Sequence, residues 1–298
     1  MRVNPNFASD ILNDVWQAQD EEQTAMEQLS TGRRVNVPSD DPAAFAADIQ
    51  NQALQGQNDQ YQQNTTNLEG LFQTADSALS SVVTSLNQAI SLGTQGTDGT
   101  LTLADQQALA VQVQGIQSQI VQDANTSYQG SFIFAGTATA NPPFVLDSSQ
   151  SSGVTYNGNS DVNNVEISDG RNIQTNVPGS QIFLGSGGDN VMQSLQQLVT
   201  ALNSGSGSAI ESATSSVNTA LNYVSQQREF YGSATDQLNS NQSFLQQEEV
   251  NLKSQDTSLV GADMATAATD LSQATTTHDA ALAALAKVIP TNLLDYLQ

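Results

Sequence analysis

The sequence predicts a mainly α-helical protein with a β insert: a long antiparallel helical rod or coiled coil built from both chain ends, with a small β-rich domain in the middle. Three observations predict it. Heptad stripes of Leu, Val, Ile and Ala occupy both ends of the 298-residue chain. The stretch 131–188 breaks instead into short apolar runs punctuated by Gly, Pro, Asn and Asp. Hydrophobic residues make up 38% and charged residues 12%, both below the usual globular share. Gln, Asn, Ser and Thr fill the gap, and Ala is the dominant apolar residue. Ala-rich stripes among uncharged polar residues suit helices packed closely together better than one thick core.

The first element is a helix closed by Gly32, within Leu29-Ser30-Thr31-Gly32-Arg33-Arg34-Val35-Asn36-Val37-Pro38-Ser39-Asp40-Asp41-Pro42-Ala43-Ala44. Glycine ends a helix because it enters the left-handed region without a steric cost. Asp41 followed by Pro42 reads as an N-cap with proline at the first helical position, so the segment joins two helices through an extended loop. The next stripe is Leu68, Phe72, Ala75, Leu79, Val82, Leu86 and Ala89, in alternating steps of four and three. Gly93, Gly96 and Gly99 break it, and Leu109, Val113, Ile116, Ile120 and Ala124 resume the rhythm. Two antiparallel helices follow.

Over 131–188 the apolar runs are Phe132-Ile133-Phe134, Phe144-Val145-Leu146, Val165-Glu166-Ile167 and Ile182-Phe183-Leu184. Asp169-Gly170, between Val165-Glu166-Ile167 and Arg171-Asn172-Ile173, is the strongest short-range hairpin signal. An insert this small has too little core of its own and is expected to lean on the helices.

Helical pattern returns from 189 onward. Val191, Leu195, Leu198 and Leu202 form one stripe, and a Gly/Ser break follows at 204–208. Ile210, Ala213, Val217, Leu221 and Val224 open a long helix expected to run to about Leu259. The last run is the most regular: Met264, Ala267, Leu271, Ala274, His278, Ala281, Leu285 and Val288. Ala fills much of this stripe, so the helix is expected to stay poorly folded until neighbours cover it.

Charge and residue types exclude whole classes of function. Seven Lys and Arg stand against 30 Asp and Glu, a net charge of −23. A phosphate backbone or an anionic membrane would be repelled, so neither nucleic acid nor membrane is an expected partner. No Cys is present, which excludes disulfides and thiolate ligands. His278 is the only imidazole, and it sits inside a heptad stripe. Phosphate-binding Gly-rich loops are absent. Asn157-Gly158-Asn159-Ser160-Asp161 is a poor calcium loop, because Ser168 stands where the twelfth-position Glu belongs. The expectation is a protein with no catalytic residues, no cofactor and no metal site. The beginning of the chain carries no signal-peptide core, and no stretch is apolar enough to span a bilayer, which by itself reads as cytosolic.

The 29–44 segment resembles the N-terminal joint of the flagellin superfamily. Asn67-Leu68-Glu69-Gly70-Leu71-Phe72-Gln73-Thr74-Ala75-Asp76-Ser77-Ala78-Leu79 is similar to the helix that follows that joint. Further stretches resemble the hook-associated branch of the superfamily: Ala124-Asn125-Thr126-Ser127-Tyr128-Gln129-Gly130-Ser131-Phe132-Ile133-Phe134-Ala135-Gly136-Thr137 with Pro142-Pro143-Phe144, then Val154-Thr155-Tyr156-Asn157-Gly158, Ile167-Ser168-Asp169-Gly170 and Val177-Pro178-Gly179. The ending Leu293-Leu294-Asp295-Tyr296-Leu297 is similar as well. Filament flagellins carry an Arg-Glu-Leu-Ala-Val-Gln-like stretch where this chain has Gln88-Ala89-Ile90-Ser91-Leu92-Gly93-Thr94-Gln95, without the arginine.

The resemblance implies a bacterial flagellar junction protein. Segments 1–40 and 262–298 would form a coiled-coil inner layer, 41–130 and 189–261 a helical rod, and 131–188 the outer β-rich domain. Copies would form a ring between hook-associated protein 1 and the first flagellin subunits. Leu12, Val15, Met26 and Leu29 would meet Met264, Leu271, Ala274, His278, Leu285, Val288, Leu294 and Tyr296 in the same and adjacent copies. Arg33 and Arg34 would tie inner layer to outer, meeting carboxylates of a neighbouring subunit. The resemblance also implies export through the flagellar channel without a cleaved signal, to an extracellular place, and a cytoplasmic export chaperone on the C-terminal helix. Filament flagellin and a secreted coiled-coil adhesin are the alternatives.

Overall fold

Helices run through most of the chain in a computed structural model that describes residues 7–185 and 190–294, with side chains described from 9 to 286 within those spans. The order is α1 (Phe7–Thr31), α2 (Pro42–Gly96), α3 (Leu103–Ala124), three β-hairpins, α4 (Gly179–Phe183), α5 (Val191–Ser204), α6 (Gly207–Val260) and α7 (Met264–Leu294). The chain divides into two compact units. One is Asp59–Gln246; the other combines Met1–Asn58 with Gln247–Gln298.

In the unit Asp59–Gln246, the α2 stripe is buried as the heptad pattern requires, from Leu68 through Phe72, Ala75, Leu79, Val82 and Leu86 to Ala89. Ile210, Ala213, Val217, Ala220, Val224, Tyr231, Ala234 and Leu238 of α6 join the same core. The buried seam passes through Ala220; Leu221, expected in it, is only half-buried at its edge. Between α2 and α3, a capping box closes the turn: Asp105 N–H donates to Thr102 Oγ1 (3.2 Å) and Thr102 N–H to Asp105 Oδ2 (3.0 Å). Gln106 Nε2 donates to the Gly96 carbonyl at 2.9 Å, filling an acceptor that the end of α2 leaves open. Asn190 caps α5, and Gly205 ends it at φ 71°.

Among the described residues, three separate two-stranded antiparallel hairpins make up the β-rich region, the first opening just before 131. They are β1 (Ser127–Tyr128) with β2 (Ser131–Phe132), β3 (Phe144–Leu146) with β4 (Val154–Tyr156), and β5 (Asn164–Ser168) with β6 (Arg171–Gln174). The Asp169-Gly170 turn joins β5 to β6, with Val165 opposite Ile173. The apolar run 182–184 does not extend: Ile182 and Phe183 lie in the short helix α4. Its rings are used edge-on, with Phe183 5.5 Å from Phe134 and 5.3 Å from Phe144 between centroids.

No separate insert core exists among these residues. Phe134, Phe144, Ile167, Ile173, Val177, Ile182 and Phe183 belong to one continuous apolar cluster with α2, α3, α5 and α6. Polar clips fix the register. Asn125, just past α3, donates to the Phe144 carbonyl (2.8 Å) and accepts from its N–H (2.9 Å). Asn241 on α6 is fully buried and donates to the Ile167 carbonyl at 2.7 Å. Gly179 is needed because a Cβ there would lie 2.7 Å from the Phe134 carbonyl oxygen.

Candidate assembly surface

The second unit brings the chain ends together: α1 packs on α7. On α1 the seam is Ile11, Val15, Ala18, Glu22, Ala25 and Leu29, and on α7 it is Ala267, Leu271, Ala274, His278, Ala281 and Leu285. Both runs step by four, three, four, three, four, so each keeps one edge toward its partner. Val15, Ala18, Ala25, Ala267 and Ala274 are buried; Leu29, Leu271 and Leu285 are half-buried. His278 Nδ1 stands 2.8 Å from Glu22 Oε2 across the seam. A buried alanine methyl contributes about 0.8 kcal/mol, against 1.5–3 kcal/mol for a whole leucine side chain, so an Ala-rich seam holds its helices weakly.

A second apolar set on α1 lies one residue further round. Leu12, Trp16 and Met26 are 41%, 65% and 54% exposed, and each stands one position after a seam residue, Ile11, Val15 and Ala25. Met264 and Leu282 are exposed on α7. Leu12, Met26 and Met264 therefore lie off the intramolecular seam, while Val15, Leu29, Leu271, Ala274, His278 and Leu285 lie in it. Trp16 was missed in the sequence pattern. Its signal is that Leu12 and Trp16, four apart, share a face of α1 beside the seam residues. Val288 and Leu294 fall where α7 side chains lie outside the described residues, and Tyr296 lies outside the described residues altogether.

The loop between α1 and α2 is built by its own polar residues. Gly32 turns the chain at φ 70°. Asp40 Oδ2 accepts from the N–H groups of Asn36 (2.9 Å) and Val37 (3.1 Å), which hold its carboxyl below the usual carboxylate range. Asp41 caps α2 by accepting from Ala44 N–H at 3.0 Å, and that bond, aided by Arg34, lowers its carboxyl too. The loop pairs with the residues between α6 and α7: Arg34 N–H donates to the Val260 carbonyl (2.6 Å) and Ala262 N–H to the Gly32 carbonyl (2.9 Å). Both arginines find carboxylates inside the chain. Arg33 pairs with Asp48, and Arg34 reaches Asp41 at 3.5 Å and the Leu259 carbonyl at 3.1 Å.

Among the described residues, no cluster of His, Asp and Glu could hold a metal ion. No helix among them is long and apolar enough to cross a membrane. A groove of about 350 Å³ runs along the α1/α7 seam, and Asp20, Glu21 and Asp270 are among its lining residues.

The fold and its paired ends define a mainly helical protein whose first and last helices pack together. Residues 3–139 match the bacterial flagellin N-terminal helical region, and residues 214–297 match the bacterial flagellin C-terminal helical region. The chain belongs to the flagellin family, whose members are structural proteins of the flagellum and not enzymes. It is 35% identical over 158 residues to flagellar hook-associated protein 3 of Salmonella typhimurium, covering 53% of this chain and 48% of that one. The chain thus spans about half the length of the curated hook-associated relatives it matches. Flagellin of Listeria monocytogenes is 24% identical over 256 residues, covering 85% of this chain and 84% of that one. Among solved structures, the flagellar junction protein from Legionella pneumophila shares the fold. It has a TM-score of 0.60 at 15% identity, over 72% of this chain and all (100%) of that one.

Proposed function

We propose that this chain is a junction component of the bacterial flagellum, forming a ring between hook and filament on which flagellin polymerises. The observation that carries the proposal is the 158-residue match to a flagellar hook-associated protein at 35% identity. The paired ends support it. Weak Ala-rich packing and exposed Leu12, Trp16 and Met26 describe helices that gain most of their burial from neighbouring copies. In this reading 1–40 and 262–298 form the inner layer, 41–130 and 189–261 the helical rod, and 131–188 the outer part. Met264 to Leu285, with Val288, Leu294 and Tyr296 beyond, pack against α1 of the same and adjacent copies. Hook-associated protein 1 lies on the hook side and flagellin on the other. The C-terminal helix, exported without a cleaved signal, is covered by a cytoplasmic chaperone beforehand.

Electron microscopy of cells lacking the chain, with the culture medium assayed for flagellin, tests this. Bare hooks with flagellin lost to the medium are expected. Filaments of normal length would overturn the junction role. A filament flagellin is the second reading, favoured by a match to Listeria flagellin that spans most of both chains. Copy number per flagellum separates the two: a ring needs few copies, a filament very many.

A further inference from the structure

Asp48 on α2 is 1% exposed, yet only one of its oxygens is served by donors. Its Oδ2 accepts from Arg33 and from Gln52 Nε2 (2.8 Å), while its buried Oδ1 has no donor. On α6, in the same compact unit, Asp256 also buries an Oδ1 without a donor. Asn51, one turn after Asp48, donates its Nδ2 to the carbonyl of Leu252, one turn before Asp256, at 2.9 Å. The α2/α6 seam thus sets the two carboxyls side by side, each acting on the other as a hydrogen-bond partner. Two orphaned oxygens in one place, with a single guanidinium beside them, pose an accounting problem that one proton solves. A protonated Asp256 donates to Asp48, both oxygens gain a partner, and the cluster of Arg33, Asp48 and Asp256 becomes neutral.

We infer that Asp48 and Asp256 share one proton, and that this proton latches α2, α6 and the Arg33 loop together as a pH-dependent joint at the base of the terminal helices. The other charged groups around it are engaged. Arg34 of the loop is turned to Asp41 and the Leu259 carbonyl. Lys253, one turn before Asp256, is paired with Glu249. Asp263 accepts from the first amides of α7. The same amides and carbonyls that close the loop, Arg34 with Val260 and Ala262 with Gly32, depend on the joint staying shut.

The electrostatics run in the same direction. Burial pushes Asp256 up, its bond to Asp48 and that residue's charge push it further, and Arg33 opposes them only in part. Burial also pushes Asp48 up, but hydrogen bonds from Asp256, Gln52 and Arg33, with the arginine's charge, outweigh it and leave Asp48 below the usual range. A raised Asp256 binds its proton more tightly folded than unfolded. Its contribution is therefore complete at acid pH and is lost as pH rises through the raised value. Asp48 contributes in the opposite sense and is lost only as pH falls through its lowered value. The joint is tightest in between.

Amide hydrogen exchange of the full chain, corrected for intrinsic rates, reads the joint at Arg34 and Ala262. Between about pH 4 and 8, protection should fall by up to about tenfold per pH unit inside the window that Asp256 sets. Asp256→Asn keeps a donor toward Asp48 without a titrating proton, so its protection should be flat over the same range. Asp48→Asn removes the negative charge that Arg33 pairs with and one of the two acceptor oxygens that Arg33 and Asp256 need, and should lose at least about tenfold at every pH. Equal pH profiles for wild type and Asp256→Asn would overturn the inference. Should either variant fail to fold, titration of the Asp256 carboxyl carbon in the wild type decides: a midpoint above the ordinary aspartate value supports it, and one at or below overturns it. Recovery of protection at pH 8 on adding magnesium would make the occupant a metal ion and overturn it as well.

Discussion

Tyr231 provides the sharpest test of how the insert and the helices hold together. Its ring is fully buried on α6, 5.8 Å from Phe72 and 5.2 Å from Phe230 between centroids. Its hydroxyl oxygen accepts from the Val177 N–H of the insert at 3.4 Å. Burial pushes its phenol far up, so it stays neutral across the ordinary pH range. Tyr231→Ala removes a large aromatic from a packed site, which costs about 3–5 kcal/mol including the cavity. For a unit of this size, each kcal/mol lowers Tm by about 2–4 °C, giving a fall of about 6–20 °C. Tyr231→Phe removes only a long hydrogen bond and should cost about 0.5–1.5 kcal/mol. Thermal unfolding followed by far-UV and near-UV circular dichroism measures both. Hydrogen exchange then asks whether the β5–β6 hairpin loses protection in step with α2. One shared core requires that it does. A hairpin whose protection is unmoved while α2 opens would refute the single-core account.

Asn241→Ala takes the donor from the Ile167 carbonyl. Because the side chain's own Oδ1 is already a buried acceptor without a donor, the net loss should sit near the low end, about 1 kcal/mol by urea unfolding. Leu271→Asp or Leu285→Asp places a charge in the half-buried α1/α7 seam. Incorporation into flagella should be abolished while the melting of the Asp59–Gln246 unit is unchanged. A variant that still assembles would show that the seam is not needed.

Much of the fold was legible because heptad spacing is a strong signal over long stretches. The α2 stripe from Leu68 to Ala89 and the α7 stripe from Ala267 to Leu285 place their residues along the buried or half-buried seams as the spacing requires. Gly32, Asp41-Pro42 and Asp169-Gly170 announced their turns through residue types that few other conformations need. The 182–184 run was misread for a different reason. A three-residue apolar run fits a strand or a helical turn equally, and the packing of Phe183 between Phe134 and Phe144 decides it. At the candidate surface, the seam residues were visible but their division was not. Periodicity shows that Leu12 and Val15 are both apolar on α1; only the position of α7 shows which of them remains exposed. The Asp48–Asp256 pair was invisible, since nothing local links two acidic residues so far apart in the chain.

If α1 and α7 present an apolar face to neighbouring copies, Trp16 is the residue on which assembly should depend while the monomer does not. At 65% exposed it contributes little to the fold of a single copy, so Trp16→Asp should leave monomer melting within about 0.5 kcal/mol of wild type. The amount of this variant on hook–basal bodies, purified from cells that carry no other copy of the chain, is the quantity to measure. A normally folded monomer that is missing from the hooks, which stay bare, is the expected result. Normal incorporation of Trp16→Asp would contradict it.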